Sequence, residues 1–191
     1  KGISWITFQN ECAAIRIDDQ LCKQGKGITL YSSFKQNLKG DKIYTVFEDS
    51  EGDEWILTNK GISIIGKKQV DSDFPFQYIK EADGIIYLVS QSDKLASYNF
   101  KTRQFKFIEI PYHVSMINEV KKFDSNTLLL ATDNGLIIYK IKEKEFQLID
   151  IRTSTQPSNV VQSVYQDHYK ELWIFPQTTG VIRYNPSTKE M

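Results

Sequence analysis

Apolar residues in this chain either alternate with polar ones or run in short groups. They do not recur at the three-and-four spacing of an amphipathic helix. Runs such as GIIYLV at 84–89 and GLIIY at 135–139 are bounded by Gly, Asp, Asn and Ser, which predicts short strands separated by turns. Pro75, Pro111, Pro157 and Pro186 fall between these runs, where a missing N–H interrupts no strand pairing. No stretch predicts a helix, so the expected class is all-β.

The strands follow a repeated frame. VFEDSEGDEWILTNKGISII at 46–65 returns as VYQDHYKELWIFPQTTGVIRY at 164–184. Trp55 has Asp49 six residues before it, Gly61 six after it and Ile65 four further on. Trp173 repeats this with Asp167, then Gly180 after one inserted residue, then Tyr184. FDSNTLLLATDNGLIIY at 123–139 puts Leu129 in the anchor slot, followed by Gly135 and Tyr139. ADGIIYLVSQSDKLASY at 82–98 puts Tyr87 there, with Lys94 in place of the glycine, and SWITFQNECAAIRID at 4–18 puts Trp5 there. The anchors are spaced by 50, 32, 42 and 44 residues, around the period of about 40–50 that marks four-stranded propeller blades.

Each unit reads as a strand, a polar turn, the anchor strand, a second turn and a third strand. A weaker fourth strand follows in QFKFIEI at 104–110 and EFQLIDI at 145–151. The predicted architecture is one β-propeller segment over residues 1–191, made of about five antiparallel four-stranded meanders. Its approximate units are 1–38, 39–74, 75–112, 113–156 and 157–191. An isolated sheet of this size leaves both faces exposed, and stacking like sheets buries each face on the next. The anchors supply that packing. Gly61, Gly135 and Gly180 are expected at positions of positive φ in the tight turn before the third strand.

Composition narrows the partners. Twenty-four Lys and Arg balance 24 Asp and Glu, so no single-sign field is available for nucleic acid or an anionic membrane surface. The apolar runs are far shorter than the roughly 18 residues of a membrane span, and the segment is expected to be soluble without direct membrane contact. The chain opens on Lys1 with no secretion signal, consistent with a signal removed upstream or with an internal fragment. Cys12 and Cys22 lack metal-ligand spacing with His113 and His168. Pairing across a hairpin is open to the two cysteines, and buried free thiols are the favoured expectation.

The two best units resemble the two-component-regulator propeller repeat, which reads roughly I-x-E-D-x-x-G-x-L-W-I-G-T-x-x-G-L-x-x-Y. This chain departs from it at Lys170, where the first turn has a glycine that Gly52 supplies in the other unit. Leu57 and Phe175 also stand where the family often has Gly. The resemblance implies the periplasmic sensor region of a hybrid two-component histidine kinase of Bacteroides type, sensing a glycan-derived ligand. It further implies a ring normally closed at seven blades, so that the remaining blades and domains of the same receptor are partners. Signalling by rearrangement or dimer geometry makes a second copy another expected partner. The segment itself is expected to be non-enzymatic, with no cofactor and no metal.

Candidate chemistry is sparse. Asp49, Glu51 and Asp53 in EDSEGDE at 48–54 alternate as calcium ligands do, but the glycine and the closing acid of a calcium loop are misplaced. A solvated hairpin turn is the expectation. No pair of carboxylates is singled out for glycosidase chemistry, and two histidines give a poor nucleophile–base constellation. In a meander, successive connections alternate between two ends. The turns TNKG, QSDK, TDNG and QTTG therefore share an end with the unit-to-unit linkers. Ligand residues favour loops held on a rigid scaffold, which nominates Tyr112, His113 and Arg152 in linkers and Asn59 and Gln177 in turns. Aromatic, amide and guanidinium groups of this kind suit a saccharide. The rival readings are a protein-interaction scaffold without a small ligand, and a propeller hydrolase or lyase using clustered acids or His113.

Overall fold

A computed structural model describes residues 2–8, 13–32, 38–66, 72–82, 84–90, 92–99, 102, 104–178 and 180–191. Cys12 lies outside the described residues. The chain divides into two compact bodies, one built on Lys1–Ile79 and the other on Lys80–Asn99 with Gln104–Met191.

In the first body, β1 (Ile3–Thr7), β2 (Ala13–Asp18) and β3 (Ile28–Ser32) form one antiparallel sheet, and β4 (Ile43–Glu48), β5 (Glu54–Thr58) and β6 (Gly61–Ile65) form another. Strand β7 (Tyr78–Ala82) begins at the division and pairs into the order β10-β9-β8-β7 with β8 (Ile85–Val89), β9 (Leu95–Asn99) and β10 (Gln104–Ile108). The second body continues with β11 (Ile117–Asp124), β12 (Thr127–Thr132), β13 (Gly135–Lys140) and β14 (Glu145–Ile149), and ends with β15 (Val161–Gln166), β16 (Leu172–Pro176) and β17 (Ile182–Tyr184). Spatial order equals chain order in all five sheets, so each is a meander. The anticipated all-β architecture is present.

Stacking of sheets supplies the cores. In the first body Ala14, Leu38, Ile43 and Ile56 cluster, with Trp5 and Tyr31 packed against them. In the second, Leu129, Leu136 and Ile138 meet Val161, Val164 and Ile174. The anchor strands β5 and β12 are buried at every residue, because a middle strand packed on both faces exposes neither set of alternating side chains. Strands β4, β11 and β15 share an irregularity of register near the start, at Ile43/Thr45, Ile117/Glu119 and Val161/Ser163, and β11 has a second at Lys122/Asp124. The shared position marks it as part of the repeat rather than an accident of one sheet.

The recurrent Asp six residues before Trp has a direct physical role. Asp49 Oδ1 accepts the N–H groups of Glu51 (2.9 Å) and Asp53 (3.0 Å), while Oδ2 accepts the Trp55 indole Nε1–H (2.9 Å). Asp167 does the same for Tyr169, Glu171 and Trp173 at 2.9, 3.0 and 3.0 Å. One carboxylate thus closes the hairpin turn and fixes the ring of the anchor. The Trp173 N–H is the leading reason that the Asp167 carboxyl lies below the usual carboxylate range. The departure at Lys170 leaves the turn unchanged: Lys170 takes φ +67° where Gly52 takes φ +88°.

Three expectations need correction. The acidic run at 48–54 is not a solvated turn throughout. Asp49, Asp53 and Glu54 are buried, at 3%, 4% and 8% exposure, because Asp49 turns inward to its backbone donors and Glu54 lies 2.8 Å from Arg16 Nε. Cys22 is an exposed free thiol rather than a buried one. It ends a single helical turn, α1 (Asp19–Cys22), which no apolar periodicity announced and which Asp18 caps by accepting the N–H groups of Gln20 and Leu21. No helix among the described residues is long and apolar enough to cross a membrane.

Candidate functional site

The turns before the third strands are built alike. Gly61, Gly135 and Gly180 take φ of +125°, +101° and +100°, as their turns require. At Gly135 a side chain would also collide, since a Cβ there would lie 2.6 Å from the Ile149 carbonyl. In three of the turns a hydroxyl three residues after the anchor closes the turn from within, whereas the turn after Trp173 has Pro176 at that position. Thr58 Oγ1 donates to Gly61 O at 3.0 Å and Thr132 Oγ1 to Gly135 O at 2.7 Å. Ser90 Oγ accepts the Lys94 N–H at 3.0 Å.

The residue four after the anchor then fastens the turn to its linker. Asn59, Asp133 and Gln177 hold this position, and their backbone N–H groups donate to Lys42, Met116 and Val160 at 3.1, 3.0 and 2.9 Å. The turns and the linkers therefore do share an end of the sheets. In the first body Asn59 is fully engaged there. Its Oδ1 accepts the N–H groups of Asp41 and Lys42, both at 3.1 Å, and its Nδ2 donates to the Asp41 carboxylate.

In the second body the same end carries an amide network. Asn159 Oδ1 accepts the Ile151 N–H (2.9 Å) and its Nδ2 donates to Asn134 Oδ1 (3.0 Å). Asn134 Nδ2 donates to the His113 carbonyl (2.9 Å), and the Asp133 carboxylate accepts the Ser115 N–H (3.1 Å). Two linkers and the intervening turn are locked into one loop surface. Gln156 donates to the Ser158 carbonyl and accepts from Thr178, tying in the last turn.

The nominated residues separate on this surface. His113 is exposed, and among the described residues its carbonyl rather than its ring is held. Gln177 is exposed, with only its backbone N–H bonded among the described residues. Arg152 grips Asp150 through Nε (2.9 and 3.1 Å) and through Nη2, which lowers the Asp150 carboxyl to about 2. Tyr112 differs: its half-buried ring reaches β14 and its hydroxyl donates to the Phe146 carbonyl at 3.0 Å. The hydroxyl residues Thr58, Ser90 and Thr132 went unmarked in the sequence, although their constant offset of three from the anchor was a readable signal. Asn159 had no such signal, because its partners lie 8 and 25 residues away. Among the described residues no three His, Cys, Asp or Glu side chains gather as metal ligands.

Comparison with solved structures sets these meanders in a known frame. The extracellular domains assigned to the hybrid two component systems BT4673 and BT3049 of B. thetaiotaomicron superpose on 95% and 94% of this chain. Their TM-scores are 0.70 and 0.69 at 17% and 21% identity. The fold is that of a β-propeller. The chain spans 26% and 24% of those domains. No family model matches the sequence. A histidine kinase P4 from Formosa agariphila is 22% identical over 156 residues, which is 81% of this chain and 9% of the kinase. In propeller terms, the amide network occupies the end of the blades from which the blade-to-blade linkers depart.

Proposed function

We propose that this chain is part of the ligand-sensing propeller of an extracytoplasmic two-component receptor, acting without catalysis and located in the periplasm. The observation that carries the reading is the locked loop surface of the second body. Several of its backbone N–H and carbonyl groups are bonded within it, yet it leaves an imidazole, an amide and a paired guanidinium–carboxylate facing outward. Arg152 and Asp150 side by side offer donors and acceptors together, the combination that vicinal hydroxyls of a saccharide can satisfy. A glycan-derived ligand is therefore the proposed class. The likeness to sensor extracellular domains supports the receptor setting, and the histidine kinase relative supports the output.

Ligand binding would shift a population between receptor arrangements in proportion to its differential affinity for them. The test is a thermal-shift screen of the complete ectodomain against an oligosaccharide panel, with recovery of the sugar afterwards. A selective rise in Tm with the sugar intact supports the proposal, because a ligand of the folded state alone stabilises it. A sugar recovered cleaved transfers the assignment to a hydrolase or lyase. Absence of any shift in a folded ectodomain transfers it to a protein-interaction scaffold.

A further inference from the structure

The second body contains a cleft that the loop surface does not use. It lies among β8, β9, β10 and the β13–β14 hairpin and measures about 520 Å³, within the range of about 300–1,000 Å³ usual for small-molecule sites. Its wall is aromatic. Tyr139 is 3% exposed, stacks on Phe146 at a centroid distance of 4.4 Å and meets Tyr87 edge-on at 6.4 Å. At the mouth Phe107 keeps 54% and Ile85 37% of their surface in water, an arrangement that packing between blades does not require. Tyr112 braces the wall by bonding the Phe146 carbonyl.

The charges around this wall are one-sided. Lys106, Lys142 and Lys144 line the cleft against a single acid, Glu109. Lys106 and Lys144 enter no ion pair among the described residues. The neighbouring acid Glu143 is not a lining residue, and its carboxylate is held by Asn126 Nδ2 at 2.8 Å. Burial pushes the Tyr139 hydroxyl above its ordinary pKa, so that it stays a neutral O–H.

We propose that this cleft is a second binding site, distinct from the loop surface, for a small amphipathic anion: an aromatic ring system bearing a carboxylate. The ring would lie against Phe146 and the exposed Phe107 and Ile85, replacing exposed apolar surface with offset or edge-on aromatic contacts. The carboxylate would stay at the rim, where lysine ammonium groups give charge-assisted hydrogen bonds that water alone would otherwise satisfy. A neutral saccharide lacks both features, and the chemistry separates the two sites.

The probe is 2-naphthoate, titrated by calorimetry into the intact chain, with 2-naphthalenemethanol as the neutral counterpart. The expected result is saturable binding of the acid, about tenfold or more tighter than the alcohol, with that advantage lost in the Lys106→Ala/Lys144→Ala double variant. Binding of the alcohol should be the same in both proteins. Both lysines are exposed, so the variant is expected to keep the parent Tm. A Phe146→Leu variant, with the lysines intact, should weaken acid and alcohol alike. Three results overturn the proposal: no saturable binding of either probe, equal affinity for acid and alcohol in the parent, or an acid affinity that the double variant leaves unchanged.

Discussion

The carboxylate at Asp49 concentrates more of the fold than its size suggests, because three donors converge on its two oxygens in a buried setting. Asp49→Ala should lower stability by about 1–3 kcal/mol per donor left unsatisfied, with less than simple addition. Asp49→Asn retains one acceptor but sets an N–H against either the indole or the turn, and should recover only part of the loss. Urea unfolding followed by Trp fluorescence measures both. Asp167 adds a pH dependence. Its folded pKa is depressed below the unfolded value, so its contribution is complete above the unfolded carboxylate pKa of about 3.9. That contribution disappears as pH falls through the folded value. Acid unfolding of Asp167→Asn should therefore show a shallower loss below about pH 4 than the parent.

At the scale of the element, the turns before β6 and β13 combine a hydroxyl, a positive-φ glycine and a clamp on the linker. The glycines in these and neighbouring turns are not equivalent. Gly52 takes φ +88° with open space around it, whereas a Cβ on Gly135 would meet the Ile149 carbonyl at 2.6 Å. Gly52→Ala should cost about 1–2 kcal/mol from left-handed strain alone, and Gly135→Ala distinctly more, as read by the midpoint of chemical denaturation. The clamp residues divide in the same way. Asn59→Ala removes three hydrogen bonds to the 41–42 linker and should lower Tm whether or not a sugar is present. Gln177→Ala removes none that its side chain makes among the described residues, so it should leave Tm unchanged and reduce only a ligand-induced shift. A Gln177 variant that keeps the full shift would remove that residue from the proposed sugar surface.

For the molecule as a whole, stability resides in the apolar faces pressed between sheets. Leu129 is 1% exposed and packs β12 against β15 and β16. Leu129→Ala should cost about 2–5 kcal/mol, the range for a large-to-small change in a packed core, checked by equilibrium unfolding. Such a stack has contacts chiefly between neighbouring sheets. The receptor function proposed here uses one end of the stack, and the anion cleft uses the flank between two of its sheets. Sugars and aromatic acids should consequently bind without competing, which a titration of one in the saturating presence of the other decides.

Much of this was legible from residues alone. Alternation and turn residues specify strands because the pleat has a period of two, and the spacing of Trp5, Trp55, Tyr87, Leu129 and Trp173 specifies a repeated sheet because each anchor needs a facing sheet to bury it. Positive φ at Gly61, Gly135 and Gly180 was readable for the same local reason. Tertiary structure alone decided what distant partners do to a side chain. Asp49 and Glu54 look like a solvated acidic turn until an indole and Arg16 meet them. Tyr112 looks like a ligand platform until Phe146, 34 residues away, takes its hydroxyl. Cys22 looks like a core thiol until a single capped turn lifts it out of the sheet. Local grammar sets the element, while the environment of each polar atom depends on contacts between segments far apart in the chain, which no periodicity encodes.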